Sequence, residues 1–127
     1  MTKQDFSFTK EEHIKSNKEI SRIINYGIFL SGSNLSLKYL KEKETEPYLH
    51  KVAFVVPKKR FKSAVNRNRI KRLIREAYRL NKHILYNNEE KITYKMIFIN
   101  KSSKVPSYNI IQDEVIFLLN EICKTKN

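Results

Sequence analysis

Between residues 58 and 82 the chain carries eleven of its 26 Lys and Arg residues (Lys58, Lys59, Arg60, Lys62, Arg67, Arg69, Lys71, Arg72, Arg75, Arg79 and Lys82) against one acid, Glu76. Cations at this density break no bonds by themselves; they bind anions. Arginine, which predominates from Arg67 to Arg79, presents a planar fork that meets phosphate oxygens two at a time. The chemistry on offer is recognition of a polyphosphate.

Nothing else in the sequence competes as a reaction centre. His13, His50 and His83 are scattered, with no spacing that sets two imidazoles on one metal, and they read as surface residues near basic segments. Cys123 is the only cysteine, so neither an intrachain disulfide nor a cysteine zinc cluster can form, and it reads as a plain thiol. No carboxylate pair or activated nucleophile stands out. No catalytic residue, metal ligand, small-molecule substrate or protein-bound cofactor is therefore expected.

The elements that position the cations are legible from periodicity. At 127 residues and 40% hydrophobic content the chain fits one domain, residues 1–127, and its net charge of +13 calls for an anionic partner. TKEEHIKSNKEISRIINYG holds two capping boxes, Thr9 with Glu12 and Ser16 with Glu19, which predict a short turn and then a helix over 16–26 that ends at Gly27. LSLKYL alternates Leu35, Leu37 and Tyr39 with Ser36, Lys38 and Leu40, as a strand on a core does. VAFVV before Pro57 predicts a central strand, and TYKMIFIN another after a charged turn at YNNEEK. In the last segment Ile111, Val115, Leu118, Leu119 and Ile122 share one helical face, with Ser107 available as a cap. The order helix, two or three strands, basic helix, strand, helix predicts an α/β fold, an α+β sandwich with one mostly buried sheet.

On a helical wheel the basic stretch separates into two faces. Ile70, Leu73, Ile74, Ala77, Leu80 and Ile84 form an apolar keel, while Lys71, Arg72, Arg75, Arg79 and Lys82 form a basic deck opposite. A solvated face normally mixes signs; here Lys71, Arg75 and Arg79 repeat like charges at i, i+4, each pair mildly destabilising. Glu76 can relieve only Arg72 and Arg79. A partner supplying the missing anions accounts for this better than solvent does. The keel is used up in covering strands, which leaves nothing to insert into a lipid surface, so the partner is expected to be nucleic acid. Ser63 or Asn66 can cap the helix, with Val65 and Ile70 as a staple in the second case.

The segment AVNRNRIKRLIREAYRL, preceded by an apolar strand and Lys58-Lys59, resembles the signature of the bacterial ribonuclease P protein component. The likeness rests on Arg67-Asn68-Arg69, the run Ile70 to Glu76 and the preceding Ala64-Val65, and in element order it extends from Thr9 to the C-terminus. It implies a single domain with a left-handed β-α-β crossover, residues 1–8 being flexible. The implied activity is endonucleolytic removal of the 5′ leader from precursor tRNA, with hydrolysis carried by a catalytic RNA subunit and Mg²⁺. The implied partners are that RNA and the leader, in the cytoplasm. No apolar run approaches a membrane span, and the first residues lack a signal-peptide core.

Two surfaces follow from the resemblance. Lys58, Lys59, Arg60, Lys62, Arg67, Asn68, Arg69 and Arg72 are expected to contact the catalytic RNA. Ile20, Ile24, Ser36, Lys38, Lys71 and Arg75 are expected to line a cleft for the single-stranded leader. The chain departs from the family pattern where Ile20, Ile24 and Lys38 replace frequent aromatics, which weakens base stacking. Arg60-Phe61 replaces a Val-Gly type pair, and Phe61 reads as a core plug in preference to a stacking group. The alternative function is a ribosomal or ribosome-associated RNA-binding protein. A DNA regulator ranks third, because no short helix precedes the basic one at helix-turn-helix spacing.

Overall fold

The computed structural model describes residues 7–43, 49–86 and 92–124. Helix α1 spans Asn17–Tyr26, followed by strands β1 (Ile28–Ser31), β2 (Leu35–Lys43) and β3 (Lys51–Val55). The basic helix α2 covers Ala64–Asn81, and strand β4 (Ile92–Asn100) and helix α3 (Tyr108–Lys124) complete the chain. The sheet order is β1-β2-β4-β3. β2 runs antiparallel to both β1 and β4, whereas β3 lies parallel to β4. The parallel pair forces a crossover, and α2 is that crossover, which fixes the basic helix against the sheet.

Alternation along the strands divides the hydrophobic core in two. Leu35, Leu37, Tyr39, Val52, Met96 and Phe98 meet the apolar faces of α2 and α3, including Ile70, Ile74, Ala77, Val115 and Leu119. On the other face α1 sets Ile23 over Ile97, with Ile14 beside them and Ile20 and Leu40 packed around. Complete burial of one such isoleucine stabilises the fold by about 1.5–3 kcal/mol, and Ile23 is the buried apolar anchor of α1. Gly27 is required where α1 meets the sheet, since a Cβ there would run into the Ile23 carbonyl oxygen. Glu114 of α3 ties down the β1–β2 turn by accepting hydrogen bonds from the backbone N–H groups of Asn34 (2.9 Å) and Leu35 (3.0 Å).

Most sequence expectations hold. Ser16 caps α1 by accepting from the Glu19 N–H, Thr9 and Glu12 form a capping box on a 3-10 turn, and the five predicted α3 residues are all buried. Ser63 caps α2, which leaves Val65 75% exposed and unable to act as a staple. The strand Ile28–Ser31 was not read from the sequence, and the turn at residues 87–91 lies outside the described residues.

Two expectations need correction. Lys82 does not extend the basic deck, because α2 gives way to a 3-10 turn at Lys82–Tyr86 and the Lys82 side chain turns inward to Glu12. His50 is fully buried, and its Nδ1 accepts from the Tyr94 N–H at 3.0 Å. Of the stretch expected to be flexible, residues 1–6 lie outside the described residues; Phe8 packs edge-on against Tyr78 and Phe54.

Candidate nucleic-acid interface

The basic loop between β3 and α2 is held by an apolar anchor. Phe61 is only 8% exposed and belongs to the main core, which settles its role as a plug. Lys58, Lys59, Arg60 and Lys62 on either side are all exposed. A turn closes at Pro57, whose carbonyl accepts from the Arg60 N–H at 3.2 Å.

Arg67 has a second task. Its guanidinium Nη1 donates to the carbonyls of Phe61 (2.8 Å) and Lys62 (3.0 Å), so it braces the loop from the first turn of α2. Asn68, Arg69 and Arg72 are exposed with no acid in the first turn of the helix. The cations expected to meet the catalytic RNA therefore lie on one loop-and-helix unit, with Arg67 holding its two halves together.

A groove of about 270 Å³ lies between the segment before α1, strand β3 and α2. Ile20, Lys71 and Arg75 line it, together with His13, Ile14 and the Val52 to Val55 edge of the sheet. Ile24 lies one turn beyond Ile20, hence on the same face of α1, and is 41% exposed. Lys38 donates from Nζ to the Ile24 carbonyl at 2.7 Å, placing a cation at the C-terminal end of α1, where the helix dipole favours one. Ser36 is 4% exposed and offers little surface to a ligand. Three of the six expected cleft residues thus line the groove, while Ile24, Ser36 and Lys38 do not, Ile24 and Lys38 meeting each other toward the C-terminal end of α1.

His13 is a groove residue that sequence reasoning missed. A parallel bridge to Val52, with the Ile14 N–H donating to the Val52 carbonyl at 3.0 Å, holds this segment beside β3. Partial burial, then the cations Arg75 and Lys15, hold the imidazole below its ordinary pKa. The signal in the sequence was the apolar Ile14 next to it, too short a pattern to place.

The opposite flank of α1 is electrically closed. Arg22 reaches both Glu19 (2.6 Å) and Glu42 (2.8 Å), and Lys95 joins Glu19 at 2.9 Å. These cations, Arg22 foremost, hold the Glu19 carboxyl down to about 2. On α2, Arg79 is bound to Glu76, so among the described residues the deck cations outside an ion pair are Lys71, Arg72 and Arg75. Among the described residues no group of three or more His, Cys, Asp or Glu could hold a metal ion, and no helix is long and apolar enough to cross a membrane.

Comparison with known proteins gives the same picture. The family profile described as Ribonuclease P matches residues 8–123. A ribonuclease P protein component of Porphyromonas gingivalis is 34% identical over 109 residues, spanning 84% of this chain and 80% of the relative. One from Clostridium botulinum is 35% identical over 113 residues, spanning 88% and 95%. The structure of the Staphylococcus aureus RNase P protein superposes with a TM-score of 0.70 at 25% identity, covering 91% of this chain and 98% of that one. The Thermotoga maritima RNase P protein, at 18% identity and a TM-score of 0.70, shares the fold. With the profile spanning nearly all of the described residues and the basic unit in the expected place, the chain belongs to the ribonuclease P protein family.

Proposed function

We propose that this protein works in ribonuclease P by docking a catalytic RNA on its basic loop and α2, and by holding the 5′ leader of precursor tRNA in the groove beside α1. Hydrolysis is assigned to the RNA and its Mg²⁺, and the protein's part is electrostatic and positional. Cations lower the repulsion between two polyanions, which reduces the Mg²⁺ needed to bring them together. The groove adds apolar contacts that only an unpaired strand can use, and so favours precursor over mature tRNA.

The observation that carries this reading is the pairing of Lys71 and Arg75 with an apolar sheet edge in one groove. Phosphates meet the two cations while sugars and bases meet Ile20 and Val55. A cytoplasmic location follows from the substrate. The test is reconstitution with the cognate RNA at low Mg²⁺, measuring cleavage of precursor tRNA with and without the protein. A stimulated rate is expected, and an unchanged one would sink the proposal.

A further inference from the structure

Four residues form one row across the sheet on the face that α1 covers: Phe29 on β1 pairs with Lys38 on β2, Lys38 with Ile97 on β4, and Ile97 with Ala53 on β3. Ala53 lines the groove with Lys71 and Arg75, so Phe29 stands three strand spacings away, roughly 14 Å. α1 crosses this row between its ends. Ile20 lies at the groove and Ile24 at Lys38, so one face of the helix leads from the groove toward Phe29.

Phe29 is 55% exposed on an edge strand, and Tyr26, the last residue of α1, is 76% exposed. Edge strands usually carry charge or a cover, because an apolar edge invites association. This aromatic is flanked by cations. Lys38 is its cross-strand neighbour, at a spacing of about 5 Å between β-carbons. Lys101 donates to Ser31 Oγ at 2.7 Å, two residues along the same strand and on the same face. An aromatic ring with one lysine across the strand pair and another two residues along the strand suits a base whose flanking phosphates need cations nearby.

We propose that Phe29 is a base-stacking contact for single-stranded RNA, taking a leader nucleotide at the end of the groove away from Lys71 and Arg75. It restores on β1 the stacking that Lys38 cannot give on β2. The inference rests on the leader-binding reading above and extends it to a strand that carries none of the expected site residues.

The test uses the reconstituted holoenzyme and compares its affinity for leader-bearing precursor tRNA with that for mature tRNA. Because the ring is exposed, Phe29→Ala leaves the fold intact. It is expected to weaken precursor binding about 5- to 100-fold with mature tRNA unchanged, and Phe29→Trp to restore it. An unchanged affinity in Phe29→Ala, where the wild type prefers precursor, would overturn this inference and leave the proposed function standing. Equal losses for both RNAs would also overturn it. A wild type with no preference for precursor overturns both readings. A dimer in sedimentation that Phe29→Ala dissociates, with precursor affinity unchanged, would assign the ring to self-association instead.

Discussion

Lys82 Nζ lies 2.6 Å from Glu12 Oε1, an ion pair that joins the end of α2 to the segment before α1, with side chains 9% and 3% exposed. The same ammonium donates to the Ser7 carbonyl and sits 5.9 Å from the centre of the Phe8 ring. The groove wall that carries His13 and Ile14 therefore depends on a charge pair buried behind it. Lys82→Met leaves Glu12 buried without its cation and is expected to destabilise the protein by about 3–5 kcal/mol. The double variant Lys82→Met with Glu12→Leu is expected to recover only part of that loss, since an apolar pair carries no desolvation penalty but the Thr9 N–H loses the Glu12 carboxylate that accepts from it. Urea unfolding of the two variants checks both values, and equal losses would contradict the account.

His50 gives the protein an acid-sensitive step. Burial is the largest cause that lowers its pKa, to about 4 from an ordinary 6.5, with Lys82 adding to the shift and a hydrogen bond with the Leu85 backbone opposing it. Between those values the unfolded chain binds a proton that the folded chain does not. Stability therefore falls as pH drops from 6.5 toward 4, by up to about 1.4 kcal/mol per pH unit, and this contribution flattens below 4. Urea midpoints across pH 4 to 7 should show the slope. His50→Gln is expected to reduce it, whatever that substitution does to absolute stability.

The difference between Lys82 and its neighbours shows where the sequence was legible. Ile70, Ile74 and Ala77 could be placed because a helix repeats every 3.6 residues, and all three are buried. The same wheel put Lys82 on the deck, because it continued the helix one residue past Asn81 and carried no information about Glu12, 70 residues away in sequence. His50 failed in the same way, since its burial depends on Tyr86 and Tyr94 closing over it. β1 was missed because four residues hold too little alternation to register. Phe61 was legible as a core plug among exposed cations, because one large apolar residue in a charged loop needs no long-range partner to stand out. Ser36 was placed in the cleft by family likeness, and its 4% exposure reflects packing that neither likeness nor alternation encodes.

Arg67 and Arg69 are expected to behave differently, although the sequence presents them as a pair. Arg67 donates to two loop carbonyls, and Arg69 is exposed on α2. Arg67→Ala removes both hydrogen bonds of a charged donor, so it should lower the melting temperature and weaken binding of the catalytic RNA. Arg69→Ala should weaken RNA binding by about 1 kcal/mol with the melting temperature unchanged. Calorimetry with filter binding separates them. A lower melting temperature in Arg69→Ala, or none in Arg67→Ala, would count against the brace.

Lys71 and Arg75 lie one turn apart on α2 in the groove, and Glu76, the acid next to Arg75 in sequence, is bonded to Arg79. If each neutralises one leader phosphate, Lys71→Ala and Arg75→Ala should each reduce the slope of log affinity against log salt by roughly 0.7, the value for a single strand. The double variant should lose about twice that. The change should be confined to leader-bearing precursor, because mature tRNA places no strand in the groove. Salt titrations of the reconstituted holoenzyme with both RNAs decide the matter, and a slope change shared by mature tRNA would move these two cations from the leader groove to the tRNA body.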